Sequence, residues 1–600
     1  MTDAWLLRWD TTCEPRPNLV RGPQMNRNRF GPGSASFVAF QGYLFDREEL
    51  SVGQPASDAG LVASAYERWQ NALFDKLRGG FALAIWDEER RSLVVGRDAM
   101  GLIPCFYWWN ERVVLVSPSL DAILGQPGVD ARFNRVLVAE YLQNIRGFQQ
   151  VHETFYEDVR RLPPAHTLSV SRTVLSLTRY WDPVPPGFAW ATESEVSRFT
   201  DVLGAAVDRN LAVGADSLAL SGGFDSVSLA VMAAERRGGR RPLHAVSLRF
   251  SDPSCDEGPR QTQVAQALGM PQVMRSLDEC LDENSFIVEL RDLSRVSPCP
   301  VMSAWQPMYG RLLRSAADDG LHHLMTGTGG DEMYYVNMGY AADCLRALDL
   351  RGLWRFCQAC HATWPGAPAR VARYVLWDGA IKGELRRQAR TLLGRVSPPA
   401  RDWILTRRLR RARPSWLAPA DGDLLARLER RPLELPPVEM APGEGAYVRA
   451  MRRLPQSPTF SMELEQSNAW AAQAGFRFLF PYFDRDLVEL SLRMPPVHLV
   501  AGGRAKAPLR RLVEERLPAV AMPARKVLFG QLFDPLFRRH GRRAWTALGG
   551  PRVLGELGIV DPPRVSAMME NYFGGVAPRA LEAWLVLSME LWLRARSDGP

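Results

Sequence analysis

The apolar run Asp216-Ser217-Leu218-Ala219-Leu220 passes straight into Ser221-Gly222-Gly223-Phe224-Asp225-Ser226, and a helix-forming stretch follows as far as Arg237. A strand that ends in paired glycines and resumes as a helix marks the carboxyl edge of a parallel sheet. Glycine lets the backbone approach a ligand closely, and the helix start offers unpaired N–H groups and a positive dipole to an anion. Leu220 to Ser226 therefore reads as a pyrophosphate cradle. Downstream, LHAVSLRF (243–250) and RQTQVAQALG (260–269) repeat the strand–helix alternation of βαβ units.

A second junction of this kind is HHLMTGTGGDEMYY (322–335), where an apolar lead ends in Gly327-Thr328-Gly329-Gly330 and two acids, Asp331 and Glu332. Two loops at one sheet edge, each presenting an Asp, suit Mg²⁺ held between Asp225 and Asp331 while the ion bridges nucleotide phosphates. Asp331 and Glu332 also suit a helix N-terminus on capping grounds alone.

At 600 residues the chain exceeds what one core supports, since single cores stop growing at roughly 250–300 residues. Residues 1–185 carry short β-like runs separated by turn residues, PVPPG (183–187) punctuates the chain, and the βαβ pattern begins soon after. The expected domains are 1–185 and 190–600, the second mostly helical after about residue 340 and broken by a proline-rich loop at 433–445. A composition of 46% hydrophobic and 23% charged residues excludes disorder. The net charge of +8 resolves into one segment: eleven basic residues between Lys382 and Arg413 face only Glu384 and Asp402. The rest is near neutral, and no nucleic-acid motif set is present. Residues 382–413 read as a solvated helical hairpin or loop, or as a dock for an acidic peptide or partner.

No apolar run approaches the ~20 residues of a bilayer span, and MTDAWLLRWDTTCEPRP lacks the apolar core of a secretory signal. Eight scattered cysteines suit reduced thiols, so the expected location is the cytoplasm. Cys357-Gln358-Ala359-Cys360-His361 has the spacing of a haem attachment, but it lies in an amphipathic helical pattern that predicts two buried thiols.

The pair SGGFDS and GTGGDE resembles the ATP-pyrophosphatase domain of the asparagine synthetase family. Further similarities are Asp256-Glu257, Pro481-Tyr482-Phe483-Asp484, Lys506 before Leu509-Arg510, and Arg525-Lys526. Leu77-Arg78-Gly79-Gly80-Phe81-Ala82 and Arg97-Asp98-Ala99-Met100-Gly101-Leu102-Ile103-Pro104 are similar to that family's amidotransferase domain. The resemblance implies an α/β protein: a degenerate N-terminal-nucleophile α/β/β/α sandwich, then a parallel-sheet ATP-pyrophosphatase domain with a helical C-terminal part. It implies a carbon–nitrogen ligase that uses ATP and Mg²⁺ and forms AMP. Ser221, Gly222, Gly223, Asp225 and Ser226 would hold phosphates, Asp225 and Asp331 the metal, Val246 and Ser247 the adenine, and Gly327 the ribose and α-phosphate, with Leu220, Thr328 and Gly330 also in the nucleotide site. Lys526, with Lys506 second, would stabilise charge on the acyl oxygen and departing AMP.

The N-terminal part departs from the family where glutamine hydrolysis would occur. Thr2 stands in place of the nucleophilic cysteine, Gln41-Gly42-Tyr43 in place of Asn-Gly-Glu, and Ser57-Asp58-Ala59-Gly60 lacks the closing Glu. The implied amine source is then the substrate itself. Lasso-peptide cyclases join a peptide's α-amine to an Asp or Glu side chain; β-lactam synthetases carry a Tyr where this chain has Thr328, although Tyr334 and Tyr335 lie nearby. An α-amine, with a reference pKa near 7.7–8.0, needs little help from a base. The first expectation is a lasso-type macrolactam synthetase acting on a leader-cleaved core peptide, with a leader peptidase and a leader-binding protein as partners. Ammonia-using asparagine synthesis, β-lactam closure and a non-catalytic scaffold stay open. SAWQPMYG (303–310) and Met333–Tyr340 are expected in the wall of the peptide groove.

Overall fold

The computed structural model describes residues 4–597 except 15, 22–34, 51–56, 144–150, 173, 185–186, 239–240, 254, 281–284, 364–366, 383–384, 386–387, 390–391, 393–396, 398–406, 408–412, 418–421, 431–444, 524–529 and 577–578. Thr2, Lys526, the proline-rich stretch and most of the basic segment lie outside the described residues.

The N-terminal part holds two five-stranded sheets. In one, Asn18–Arg21, Leu6–Asp10, Val113–Ser117, Phe106–Trp109 and Val159–Arg161 are neighbours in that order; in the other, Leu175–Arg179, His166–Val170, Ser92–Arg97, Gly79–Asp87 and Ala35–Leu44. All their pairings are antiparallel. The strand Gly79–Asp87 shows why the layers stack. Side chains alternate across a strand, so Ala82, Ala84 and Trp86 meet Trp5, Leu7 and Trp9 of the facing sheet. Phe81, Leu83 and Ile85 instead meet Leu61, Val62 and Ala65 of the helix Asp58–Trp69. An outwardly apolar sequence, GGFALAIWD, is thus buried on both faces.

The second part is built on five parallel strands: β1 (Ser217–Ala219), β2 (His244–Arg249), β3 (Gln272–Ser276), β4 (His323–Met325) and β5 (Arg477–Leu479). Their order is β3-β2-β1-β4-β5. The chain runs outward from β1 through β2 to β3, then returns to the other side of β1 for β4. Strand order therefore reverses between β1 and β4, where a crevice opens at the carboxyl ends of parallel strands. Both glycine loops leave the sheet at that point.

Helices pack around the sheet. The five used below are α1 (Phe224–Arg237), α2 (Gly258–Ala267), α3 (Gly330–Tyr334), α4 (Pro458–Gln473) and α5 (Ala507–Arg516). The last helix, Ala580–Ser597, buries Trp584 and Trp592 completely; Trp592 packs at steep ring angles against Phe133, Phe155 and Tyr156 of the N-terminal part, so one core is continuous across both parts. Leu350–Thr363 is helical with Cys357 and Cys360 buried, as the apolar periodicity predicts. No helix among the described residues is long and apolar enough to cross a membrane.

Candidate active site

The first loop is shaped by backbone freedom and one serine. Gly222 has φ +77, and a side chain there would begin 3.2 Å from Glu257 Cβ. Ser226 Oγ closes the turn: it accepts from Ser221 N at 3.1 Å and donates to Gly223 O at 3.2 Å. Gly223 caps α1 without a side-chain hydrogen bond, so the first-turn N–H groups remain turned toward an incoming anion.

The second loop meets the first face to face because both are bare. A Cβ on Gly330 would fall 2.5 Å from Asp225 Cγ, and one on Gly327 would fall 3.2 Å from Ser226 N. This closeness lets Asp225 and Asp331 converge. Lys506 Nζ lies 2.6 Å from Asp225 Oδ1 and 2.5 Å from Asp331 Oδ1. Lys506 adopts φ +58 just before α5, is 5% exposed, and stands 4.9 Å from the centre of the Tyr335 ring. Two carboxylates aimed at one cation position, beside a phosphate cradle, fit Mg²⁺, which takes one or two carboxylates together with substrate phosphate oxygens.

Buried groups hold these carboxylates in place. The Tyr482 hydroxyl donates to Asp225 O at 3.0 Å and meets Ser228 Oγ at 2.6 Å. Asp484 accepts from Arg209 at 2.9 Å and caps the next helix, so the Pro481–Asp484 segment is a brace. Arg510 lies 4.1 Å over the Phe224 ring and donates to Ala505 O, which steadies the chain carrying Lys506. Glu332 accepts from Gly329 N at 2.9 Å; it serves as the cap of α3, and burial together with Asp331 raises its carboxyl.

Other expected residues divide in placement. Leu220 N donates to Val246 O at 2.9 Å, and both side chains are core. Ser247 is buried, its hydroxyl committed to Leu220 O and Gln272, so only backbone at this strand end can meet a purine. Thr328 sits in the loop, half-buried, between Gly327 and Gly329. Asp256 accepts from Phe250 N and Gly258 N, shaping the turn into α2. In the expected groove wall, Met333 and Tyr334 are instead fully buried, Tyr334 bonding Ser491; they supply the inner face of α3, while Asp331 and Glu332 of its first turn stay partly exposed. Tyr309 is 40% exposed, near Trp470.

Two further residues belong to the site. Arg260 spans Glu257 and Gly222 O, which puts a guanidinium beside the phosphate loop; its one local signal is a position one turn beyond the Asp256-Glu257 pair. Glu463 on α4 keeps solvent access, yet desolvation and the nearby Glu332 charge push its carboxyl up to about 7. Nothing in its neighbourhood of sequence marks it.

Gln41 Oε1 is buried without a hydrogen-bond partner among the described residues, and the Tyr43 ring is packed on Phe45 under Arg477. Asp58 pairs with Arg47, and burial raises its carboxyl. Gln41, Asp58 and Arg477 share a cavity of about 760 Å³ with the α4 face.

Comparison with known proteins places these features. The asparagine synthase family model matches residues 198–594, and the glutamine amidotransferase domain model matches residues 41–181. Asparagine synthetase (glutamine-hydrolyzing) 3 of Bacillus subtilis (strain 168) is 27% identical over 258 residues, 40% of this chain and 42% of that protein. A putative asparagine synthetase (glutamine-hydrolyzing) of Mycobacterium tuberculosis (strain ATCC 25618 / H37Rv) is 22% identical over 603 residues, 94% of this chain and 85% of that protein. Amidase chry2 of Gibberella zeae is 25% identical over 320 residues, 49% of this chain and 45% of that protein. The chain thus spans less than half the length of the first and third of these relatives and most of the second.

Proposed function

The chain belongs to the asparagine synthase family, and on that premise we propose that it is an ATP-dependent amide-forming ligase that closes a macrolactam in a peptide. The observation that carries the reading is the convergence of Asp225, Asp331 and Lys506 beside the Ser221–Ser226 cradle. ATP is the co-substrate, its phosphates held by the first loop and Arg260. Mg²⁺ held by Asp225 and Asp331 would neutralise phosphate charge and orient the α-phosphate. The peptide's Asp or Glu carboxylate attacks that phosphorus, pyrophosphate leaves, and an acyl-adenylate results. The peptide's α-amine then attacks the acyl carbon, and AMP departs with its bonding pair.

Glu463 is the proton acceptor in this reading. A carboxyl titrating near 7 is ionised often enough at neutral pH to accept a proton, and an α-ammonium is poised to lose one. Lys526 and Lys506 are the cations offered to the acyl oxygen and leaving phosphate; Lys526→Ala is expected to abolish product while ATP still binds. Support for an amine internal to the substrate comes from the N-terminal part, where Gln41 and Tyr43 occupy the positions of the family's Asn and Glu. A core peptide and a leader-removing partner follow from the same reading.

The test incubates the full chain with Mg·ATP and a linear core peptide bearing an internal Asp or Glu. The expected result is AMP formed one-for-one with peptide that has lost one water. AMP formation driven by aspartate and ammonia, with no effect of peptide, would replace this reading by asparagine synthesis.

A further inference from the structure

Helix α4 separates two compartments. Glu465, Asn468, Ala469 and Ala472 recur at helical spacing and line the 760 Å³ cavity against the N-terminal domain. Two positions from Glu465, and so on the far side of the helix, Glu463 is exposed and within reach of the Glu332 charge, while Phe460 packs 5.0 Å from the ring of Phe483 in the Pro481–Asp484 brace.

The cavity face is gripped by charge. Glu465 receives Arg161 Nη2 at 2.8 Å and Arg97 Nη2 at 3.2 Å, both from the N-terminal domain. All three side chains are at most 3% exposed. The guanidiniums are themselves fixed: Arg97 donates to Gly101 O, Ile103 O and Leu162 O at 2.9 Å each, and Arg161 to Val151 O and Glu153 O. One turn on, Asn468 donates to Leu102 O. A buried ionic cluster is rarely a gain over apolar packing, since desolvation offsets the attraction. Its geometry is another matter: a planar fork on a carboxylate sets both distance and rotation.

We propose that the N-terminal domain acts on amide formation through this contact: Arg97 and Arg161 hold Glu465, and so set the rotation of α4 that places Glu463 in the acyl-transfer cleft. The three are positioning residues, and a domain stripped of hydrolytic groups keeps a task. The inference rests on the reading of Glu463 given above.

Two variants of the full chain test it. Arg97→Met/Arg161→Met/Glu465→Leu removes every charge of the cluster at once and leaves no buried charge unpaired, although the five carbonyls served by the guanidiniums lose those donors; Glu465→Gln keeps the shape and removes the carboxylate charge. In both, Mg·ATP affinity by titration calorimetry is expected within about twofold of wild type. Amide exchange at Phe460–Gln466 is expected to accelerate about tenfold. Turnover of AMP on the peptide is expected to fall about tenfold or more with little change in KM. A merely structural cluster would lower ATP binding and turnover together, and that outcome, or unchanged exchange in α4, overturns the proposal. The exchange arm needs no substrate: a wild type inert toward peptide refutes the functional reading while leaving the grip on α4 to be judged by exchange alone.

Discussion

Lys506 Nζ stands 2.6 Å from Asp225 Oδ1 and holds Asp331 in the same grip, so one ammonium keeps two like-charged groups together. Removing it leaves Asp225, 17% exposed, facing a carboxylate across a narrow gap. Lys506→Met is expected to lose about 2 kcal/mol of stability in chelator. Millimolar Mg²⁺ is expected to restore most of it, because the ion's charge holds the two carboxylates together in the ammonium's stead. Thermal melts with and without Mg²⁺ check this; equal melting of variant and wild type in chelator would refute the pairing.

Gly330 has no room for a methyl group, since its Cβ position lies 2.5 Å from Asp225 Cγ. Gly330→Ala is expected to push the two loops apart. Mg·ATP affinity should fall by about tenfold or more, a cost of at least roughly 1.4 kcal/mol, while the sheet core is untouched. Calorimetric titration with Mg·ATP, alongside circular dichroism showing an unchanged fold, gives the measurement.

These two loops were legible in the sequence because each carries its signal locally, in glycines between a strand and a helix. Lys506 was legible as a cation of the site, but its contact with Asp225 joins residues 281 apart and depends on where α5 docks. Glu463 and Arg161 carry no such local mark, and Arg97 opens the Arg97–Pro104 similarity without any sign there of its partner Glu465. The Arg161–Glu465 pair spans 304 residues, and only the meeting of an antiparallel sheet with α4 brings it together. Met333 and Tyr334 lie in the core for a related reason: on a five-residue helix the partly exposed first turn gives way within two residues to the buried face.

Glu463 makes amide formation sensitive to pH. Its carboxyl is moved from an ordinary 4.5 to about 7, first by desolvation and then by Glu332. As a proton acceptor it must be ionised, so turnover with peptide should rise with pH and level off above about 7. Glu463→Gln is expected to abolish that rise. Stability follows the opposite direction. The raised pKa means that this group's contribution is fully present below 4.5 and lost as pH climbs through 7. The stability of Glu463→Gln relative to wild type should therefore increase across that window. Denaturant titrations at several pH values check the sign; a flat difference would show that Glu463 titrates normally.

Tyr482 distinguishes bracing by a hydroxyl from bracing by a ring. Its hydroxyl donates to Asp225 O and meets Ser228 Oγ, but Ser228 Oγ also donates to Phe224 O at 2.7 Å and to Asp225 O at 3.0 Å. Tyr482→Phe therefore leaves each acceptor with a partner, and the expected loss is about 1 kcal/mol. The ring is fully buried, 5.5 Å from the Tyr334 ring, and its Cβ lies against Gly329. Tyr482→Ala opens a cavity under the second loop, with an expected loss of about 3–5 kcal/mol. ATP affinity should follow the same order: little changed in the Phe variant and strongly weakened in the Ala variant, where Gly329 and Asp331 lose their support. If the Phe variant weakens Mg·ATP binding as much as the Ala variant, the hydroxyl rather than the ring orients Asp225.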